Sequence, residues 1–267
     1  MALRGAILDV DGTVLRGDEP IPGAREGLET IADAGLGRLF VSNNPTKPPS
    51  AYEARFEAAG LSVDAREVLT AGSVTTEYLA SEHPDDDLYV LGEPGLLTQL
   101  RDAGLTVVDD AEAVDVLVAS LDRGFDYDDL STALWTLTDP AVTFLGTDPD
   151  AVIPGPERDY PGSGAVINAV AGVAGRDPER VLGKPSPEMR TSALDRLGVP
   201  PEDCLVVGDR LDTDVALGAE AGMTTVLVRS GIATGGDLEA SDVHPDYVLD
   251  SLGEIDRVLD AESVARR

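Results

Sequence analysis

Two carboxylates stand two residues apart directly after a short apolar run. They are Asp9 and Asp11, in the sequence Asp-Val-Asp-Gly-Thr of residues 9–13. In such a pair one carboxylate can attack an electrophile while the other donates and accepts protons. A helix cap next to a turn residue is the alternative for the pair taken alone, so the other motifs decide between the two interpretations.

Two further segments carry groups that suit a phosphate. Residues 42–46 read Ser-Asn-Asn-Pro-Thr, and the side chains of Ser42 and Asn43 could bind phosphate oxygens, with an ordinary turn as the alternative. Lys184, one of only two lysines, could neutralise a phosphate and orient a carboxylate, with a surface lysine as the alternative. A Walker loop is excluded, because Pro178 stands six residues before Lys184 and Pro185 follows it.

A third acidic segment, residues 208–214, reads Gly-Asp-Arg-Leu-Asp-Thr-Asp. Asp209 and Asp214 offer hard oxygen ligands without a neighbouring His or Cys, the type of donor that Mg²⁺ prefers. They are five residues apart, so both reach one site only if the chain folds back between strand and helix. We expect Asp212 to cap the N-terminus of the helix that follows.

The elements that must position these residues alternate between strand and helix. Apolar runs predict strands over residues 5–10, 38–42, 204–207 and 225–228, and helical spacing predicts helices over residues 22–34, 50–59, 187–197 and 213–221. Ligands gather at the carboxyl edge of a parallel sheet. We therefore predict an α/β fold whose core domain, residues 1–73 and 181–267, is a doubly wound parallel sheet.

The middle of the chain, residues 74–180, repeats this alternation on its own. It predicts strands over residues 88–91, 116–120 and 142–145 and helices over residues 94–103, 127–137 and 164–174. Residues 148–164 are rich in Gly and Pro and predict a long loop. The middle is therefore expected to be an inserted α/β domain.

Composition limits the classes of function. The chain has 267 residues with 50 Asp or Glu and 20 Lys or Arg, a net charge of −30, which argues against unassisted nucleic-acid binding. The single cysteine cannot form an internal disulfide, and the absence of a signal-like or membrane-spanning run predicts a cytosolic protein that does not bind membranes. The acidity also suggests a salt-adapted, halophilic source. In that case the melting temperature rises from low to molar KCl, and a protein indifferent to salt would contradict the idea.

The four motifs, in this order, resemble those of the haloacid dehalogenase superfamily. The Ser-Asn-Asn form, the large insert between the second and third motifs, and the Gly-Asp-Arg-Leu-Asp-Thr-Asp string are similar to the NagD-type and p-nitrophenyl phosphatase branch. The resemblance covers residues 4–260. It implies a Rossmann-like core with an inserted C2-type cap, and a phosphatase that hydrolyses phosphomonoesters through an aspartyl-phosphate.

The resemblance also implies a role for each motif residue. Asp9 is the nucleophile, and Asp11 protonates the leaving oxygen and then activates water. Ser42, Asn43 and Lys184 hold the phosphate. The resemblance further implies that Mg²⁺ is bound by the Asp9 carboxylate, the Asp11 backbone carbonyl and Asp209, with Asp214 next to these ligands or bound to the metal through water.

In the cap, the resemblance makes Asp148, Arg158 and Tyr160 candidate substrate contacts, with an exposed loop as the alternative. Asp148 stands where many relatives carry Asn, which bears on substrate preference. The expected substrate is a small phosphorylated metabolite, such as a sugar phosphate, phosphoglycolate, glycerol phosphate or a nucleoside monophosphate. A homodimer formed through the cap is also expected.

Two other functions stay open at this point, and a third is disfavoured. A phosphotransferase or phosphomutase could use Asp9 and Asp11 if it protected the aspartyl-phosphate from water. A non-catalytic protein could bind a phosphorylated ligand on the same scaffold. A His-based hydrolase would need His83 or His244, neither of which lies in a recognisable motif.

Overall fold

The computed structural model describes residues 3–155, 158–233 and 235–265 and divides into two compact units. The described residues of the first unit fall within Met1–Ser42, Pro49–Leu69 and Lys184–Arg267. Those of the second fall within Asn43–Pro48 and Thr70–Gly183. The sequence prediction assigns residues 43–48, 70–73 and 181–183 to the core, whereas in the structure they group with the second unit.

Strands and helices alternate along the chain. The strands are β1 (Gly5–Asp9), β2 (Leu15–Arg16), β3 (Glu19–Pro20), β4 (Gly37–Ser42), β5 (Val68–Thr70), β6 (Asp87–Leu91), β7 (Thr106–Val108), β8 (Val116–Ala119), β9 (Thr143–Gly146), β10 (Val152–Ile153), β11 (Tyr160–Pro161), β12 (Arg180–Val181), β13 (Cys204–Gly208), β14 (Thr224–Val228) and β15 (Tyr247–Leu249). The α-helices are α1 (Ala24–Asp33), α2 (Pro49–Ala58), α3 (Ala71–Glu82), α4 (Pro94–Asp102), α5 (Tyr127–Thr136), α6 (Ser163–Ala174), α7 (Pro187–Leu197), α8 (Ala216–Ala219), α9 (Gly235–Ala240) and α10 (Asp256–Ala265).

The first unit is built on a sheet with the strand order β15-β14-β13-β1-β4-β5. The pairings from β15 through β4 are all parallel, with Ala6 beside Leu205 and Leu8 beside both Val207 and Phe40. All five residues of β1 are buried, as in a strand covered by helices on both faces. The doubly wound α/β core predicted from the sequence is thereby confirmed.

The second unit has a sheet of its own, with the order β12-β9-β8-β6-β7 and only parallel pairings. Successive side chains of its central strand β8 pack in two different apolar clusters. Val116 and Val118 pack in a cluster with Leu79 and Leu96, whereas Leu117 packs on the opposite side with residues of α5 and α6. Burial on both faces explains why this strand reads as a continuous apolar run.

The chain after β13 departs from the sequence prediction. In place of one helix over residues 213–221, the structure has a π-helical turn at Leu211–Val215 followed by the four-residue α8. The prediction that Asp212 is an N-cap is wrong, because Asp212 lies within this turn and its carboxylate pairs with the Arg210 guanidinium at 2.9 Å. The backbone N–H of Arg210 instead donates to Asp214.

The helices that follow the sheets begin and end at ordinary signals. The Ser186 hydroxyl caps α7 by accepting from the backbone N–H of Met189 at 3.0 Å, Pro187 occupies its first turn, and Gly198 ends it in the left-handed region. None of the described helices has the length and apolar content needed to cross a membrane.

Candidate active site

A buried ammonium lies between two buried carboxylates in the first unit. Lys184 Nζ is 2.6 Å from Asp9 Oδ1 and 2.6 Å from Asp214 Oδ1, and it also donates to the Val41 carbonyl at 3.3 Å. Asp9 ends β1, Val41 lies near the end of β4, and Asp214 lies in the turn after β13. The ammonium therefore ties together three adjacent strands at their carboxyl edge.

Asp209 joins this group as a third carboxylate. Asp9, Asp209 and Asp214 each offer an oxygen within 4.8 Å of the others, and all three residues are buried. Backbone N–H groups hold two of them in place, with Ile232 donating to Asp209 Oδ2 at 2.7 Å and Arg210 donating to Asp214 Oδ2 at 3.1 Å. The fold thus brings together four of the residues that the sequence selected.

Glycines leave room for these carboxylates. Gly12 has φ +96°, a conformation that favours glycine, and a Cβ there would overlap the Asp209 carboxylate. A Cβ at Gly231 would overlap the same carboxylate, and one at Gly208 would overlap that of Asp214. Position 12, in the turn after β1, therefore requires Gly both for its positive φ and for the space that the Asp209 carboxylate occupies.

The electrostatics of the cluster follow from its burial. Burial raises the pKa of Asp9 well above its ordinary value, against the lowering by Lys184, and the charges of Asp214 and Asp209 add to the rise. Burial and the charge of Asp214 raise the pKa of Asp209 to about 7. Burial alone would lower the pKa of Lys184, but Asp214 and Asp9 raise it, so the ammonium stays charged. With all groups ionised, three carboxylates and one ammonium leave an excess of two negative charges.

A divalent cation fits this arrangement. Asp9 Oδ2 is buried and accepts no hydrogen bond from any described residue, so one oxygen in the cluster is left for a ligand. The donors are carboxylate oxygens, the ligands that Mg²⁺ prefers, and a charge of +2 balances the excess. The cluster is therefore chemically suited to hold Mg²⁺.

Asp11 and Ser42 have partners that the sequence did not reveal. The Asp11 carboxylate, whose side chain is 54% exposed, receives two hydrogen bonds from Arg55 of α2. The Ser42 hydroxyl, at the end of β4, lies 2.8 Å from the Tyr52 hydroxyl, also of α2. The sequence offered no reason to select Arg55 or Tyr52, because the α2 segment shows only the apolar spacing of an ordinary helix.

The remaining predicted residues lie in the second unit. Asn43 is buried there, and a Cβ at Gly183 would lie 2.8 Å from its Oδ1 and 2.6 Å from the Asp148 Cβ. Asp148 is only 2% exposed, and its carboxylate accepts from the Thr147 hydroxyl at 3.1 Å and from the Asp150 N–H at 3.3 Å.

The other two candidate cap contacts, Arg158 and Tyr160, are exposed. Tyr160 pairs through its backbone with Ile153 in a two-stranded ribbon. Their exposure leaves both side chains accessible to a ligand, and a role in substrate contact stays a prediction for all three cap residues.

The amino-acid sequence of this chain matches those of known hydrolases and phosphatases. The family model described as haloacid dehalogenase-like hydrolase matches residues 6–106, and one described as HAD-hydrolase-like matches residues 181–255. A protein named acid sugar phosphatase from Staphylococcus epidermidis is 33% identical over 92% of this chain and 94% of its own length.

Solved structures give the same result. A p-nitrophenyl phosphatase from Archaeoglobus fulgidus is 34% identical with a TM-score of 0.89, covering 98% of this chain and 100% of that one. NagD from E. coli K-12 is 30% identical with a TM-score of 0.85, covering 96% and 99%.

The chain belongs to the haloacid dehalogenase superfamily, in its NagD-like branch, as the resemblance of the motifs implied. It is an enzyme of the phosphatase class that acts on phosphoric monoesters.

Removing the central ammonium should destabilise the metal-free protein. Lys184→Met leaves the buried carboxylates of Asp9 and Asp214 without a counter-charge, and breaking such a pair costs about 3–5 kcal/mol. We expect a loss of this size in the free energy of unfolding from urea titrations at pH 8, and a smaller loss at pH 6, where Asp9, whose pKa is raised by burial, takes up a proton more readily. Lys47→Met, at the exposed other lysine, is the matched control and should change stability by less than about 0.5 kcal/mol. Equal stabilities of the two variants would contradict the role given to Lys184.

Asp148 should make stability depend on pH. Burial and the nearby charge of Asp150 raise its pKa to about 7, so the folded protein binds this proton more tightly than the unfolded chain does. The stability contributed by the protonated carboxyl is therefore lost as the pH rises towards 7, at about 1.4 kcal/mol per pH unit. Asp148→Asn removes the titration, so its melting temperature relative to the unmodified protein should rise between pH 5 and pH 8. Asp109→Asn, at a side chain that is 98% exposed, should show no such trend. The same difference at both pH values for Asp148→Asn would refute the prediction.

Proposed function

We propose that this chain is a Mg²⁺-dependent phosphatase that hydrolyses small phosphomonoesters through an aspartyl-phosphate on Asp9. The observation that carries the proposal is the buried cluster in which Lys184 bridges Asp9 and Asp214 beside Asp209. Within it, Asp9 keeps one buried oxygen without a hydrogen-bond donor among the described residues.

The metal would be held by the carboxylates of Asp9, Asp209 and Asp214 and by the Asp11 backbone carbonyl. When bound, Mg²⁺ offsets the repulsion between the Asp9 carboxylate and the phosphate dianion and helps to bind the phosphate oxygens. Lys184 would contribute to the same neutralisation, because its ammonium lies 2.6 Å from Asp9 Oδ1.

In the first step an oxygen of the Asp9 carboxylate attacks phosphorus, and the bond from phosphorus to the ester oxygen breaks. Asp11, in its protonated form, gives its proton to that departing oxygen, so the alcohol leaves neutral. The products of this step are the alcohol, the Asp11 carboxylate and a phosphoryl group bound to Asp9.

In the second step water attacks the same phosphorus atom, and the bond from phosphorus to Asp9 breaks. The Asp11 carboxylate accepts the proton that the water loses. Inorganic phosphate leaves, the Asp9 carboxylate is regenerated, and Asp11 again carries a proton for the next cycle.

Ser42, Asn43 and Lys184 are proposed to hold the phosphate oxygens. Lys184 would have two tasks, since its ammonium both orients Asp9 and lies where a phosphate anion would gain from a positive charge. The Ser42 hydroxyl is held by Tyr52, which fixes its direction.

The substrate class follows the curated relatives, which are named acid sugar phosphatases. A sugar phosphate is therefore the first candidate, ahead of phosphoglycolate, glycerol phosphate and nucleoside monophosphates. The expected cap contacts, Asp148, Arg158 and Tyr160, would choose among them.

Several other expectations stay predictions. These are the cytosolic location, the salt-adapted source and the homodimer through the cap. On the cap, the Tyr127 and Trp135 side chains of α5 are exposed by 80% and 68%, and mutating them would test the dimer by its effect on the mass in solution. No observation favours the phosphomutase or binding-protein alternatives.

Phosphate release from p-nitrophenyl phosphate and a panel of metabolite phosphomonoesters tests the proposal. In high KCl we expect release with Mg²⁺ and little release after chelation, because the uncompensated cluster repels the phosphate. Asp9→Asn should lower turnover by about 10⁴-fold or more while remaining folded, since the nucleophile is lost. Asp195→Asn, at a carboxylate of α7 outside the cluster, is the control and should keep full activity. Activity of Asp9→Asn close to that of the unmodified protein would defeat the mechanism, and no release from any ester would defeat the proposed function.

A further inference from the structure

Arg55 contacts the residue that the proposed mechanism uses as acid and base. Its Nη2 donates to Asp11 Oδ1 at 2.6 Å, and its Nη1 donates to Asp11 Oδ2 at 3.2 Å. The two parallel hydrogen bonds form the fork geometry that fixes a carboxylate in direction as well as position. No motif in the sequence marked Arg55, and nothing in the proposed mechanism yet uses it.

Contacts other than Asp11 also hold the Arg55 guanidinium in place. Its Nε donates to the Gly17 carbonyl at 3.0 Å, and Nη2 donates to the same carbonyl. Its carbon Cζ lies 5.8 Å from the centre of the Tyr52 ring, one turn earlier on α2, and Asp18 adds a looser ion pair at 3.5 Å. The Arg55 side chain is only 11% exposed as a result.

Stability alone gives little reason for this arrangement. Asp11 is 54% exposed, and an ion pair with a solvated carboxylate contributes little to the free energy of folding. General acid catalysis, in contrast, needs a carboxyl group aimed at the departing oxygen, and a misplacement of 1 Å can cost about 10²-fold in rate. Asp11 lies in the turn after β1, its side chain is half exposed, and both of its carboxylate oxygens accept from Arg55.

We propose that Arg55 is a positioning residue that fixes the direction of the Asp11 carboxyl group for proton transfer. The inference rests on the proposed function, because it needs Asp11 to act as the acid. Arg55 acts through Asp11 and makes no contact of its own with the phosphate.

The same unit holds a second arginine that donates two hydrogen bonds to one carboxylate, and this pair serves as a control. Arg38 donates through Nε to Glu67 Oε1 at 2.7 Å and through Nη2 to Oε2 at 3.2 Å. It also donates to the Ser62 carbonyl and lies over the Phe40 ring at 5.6 Å. Arg38 is near the start of β4, the end of the strand opposite Ser42, so its pair is remote from the strand edge that carries the site.

The test compares two esters that differ in the basicity of the leaving oxygen. Phenolate is a stronger base than p-nitrophenolate, so phenyl phosphate depends more on the proton from Asp11. We would measure kcat and KM for both esters with Mg²⁺ in the unmodified protein and in Arg55→Met, Arg55→Lys and Arg38→Met. Asp11→Asn gives the ratio of the two kcat values when the acid is absent.

Arg55→Met should lower kcat for phenyl phosphate about tenfold more than kcat for p-nitrophenyl phosphate, moving the ratio towards that of Asp11→Asn. KM should change little. Arg55→Lys, which can keep only one of the two hydrogen bonds, should give an intermediate ratio, and it decides the matter if Arg55→Met does not fold. Arg38→Met should keep the ratio of the unmodified protein even if its melting temperature falls.

Two results would overturn the role of Arg55 alone. One is an equal loss of kcat on both esters in each folded Arg55 variant, which indicates a structural role. The other is a rise in KM at unchanged kcat, which indicates that Arg55 binds phosphate. An unmodified protein inactive on both esters would instead overturn the proposed function, and the inference with it.

Discussion

The arrangement of this protein depends on the burial of a single ammonium among three carboxylates. Lys184 Nζ lies 2.6 Å from both Asp9 and Asp214, with Asp209 completing the group. Burying so many charges is costly unless each is paired or hydrogen-bonded. The sheet meets this requirement by ending β1, β4 and β13 at the same edge, where backbone N–H groups and glycines accommodate the carboxylate oxygens.

The same constraint explains why the site is suited to phosphoryl transfer. One ammonium balances only one of the three negative charges of the ionised carboxylates, and a divalent cation would balance the remaining two. In the proposed mechanism, Lys184 and the bound cation would both offset the charge of the phosphate that the Asp9 carboxylate attacks. Asp11 lies outside the buried group, with a half-exposed side chain that is paired with Arg55. The proposed nucleophile and the proposed acid are therefore neighbours in sequence with different surroundings.

The sequence allowed us to predict the buried part of the candidate site, which lies where the strands of the core sheet end. Asp9 and Asp214 could be selected because polar residues that follow apolar runs meet at one edge of a parallel sheet. Lys184 could be selected because it is one of only two lysines, and the family resemblance agreed with all three. Arg55 could not be found this way, since its contact with the turn after β1 joins segments that only the tertiary fold brings together. Asp212 was wrongly predicted to be an N-cap because the chain after β13 forms a π-helical turn. In this turn the Asp214 carboxylate accepts from the Arg210 backbone N–H.

Trapping the phosphorylated carboxylate tests most directly whether Asp9 is the nucleophile. Borohydride added during turnover of p-nitrophenyl phosphate with Mg²⁺ reduces an acyl phosphate to an alcohol, and peptide mass spectrometry then locates the change. We expect homoserine at position 9, with Asp11, Asp209 and Asp214 unmodified and no reduction when the ester is omitted. Reduction at another carboxylate, or turnover without any reduced residue, would contradict the covalent mechanism.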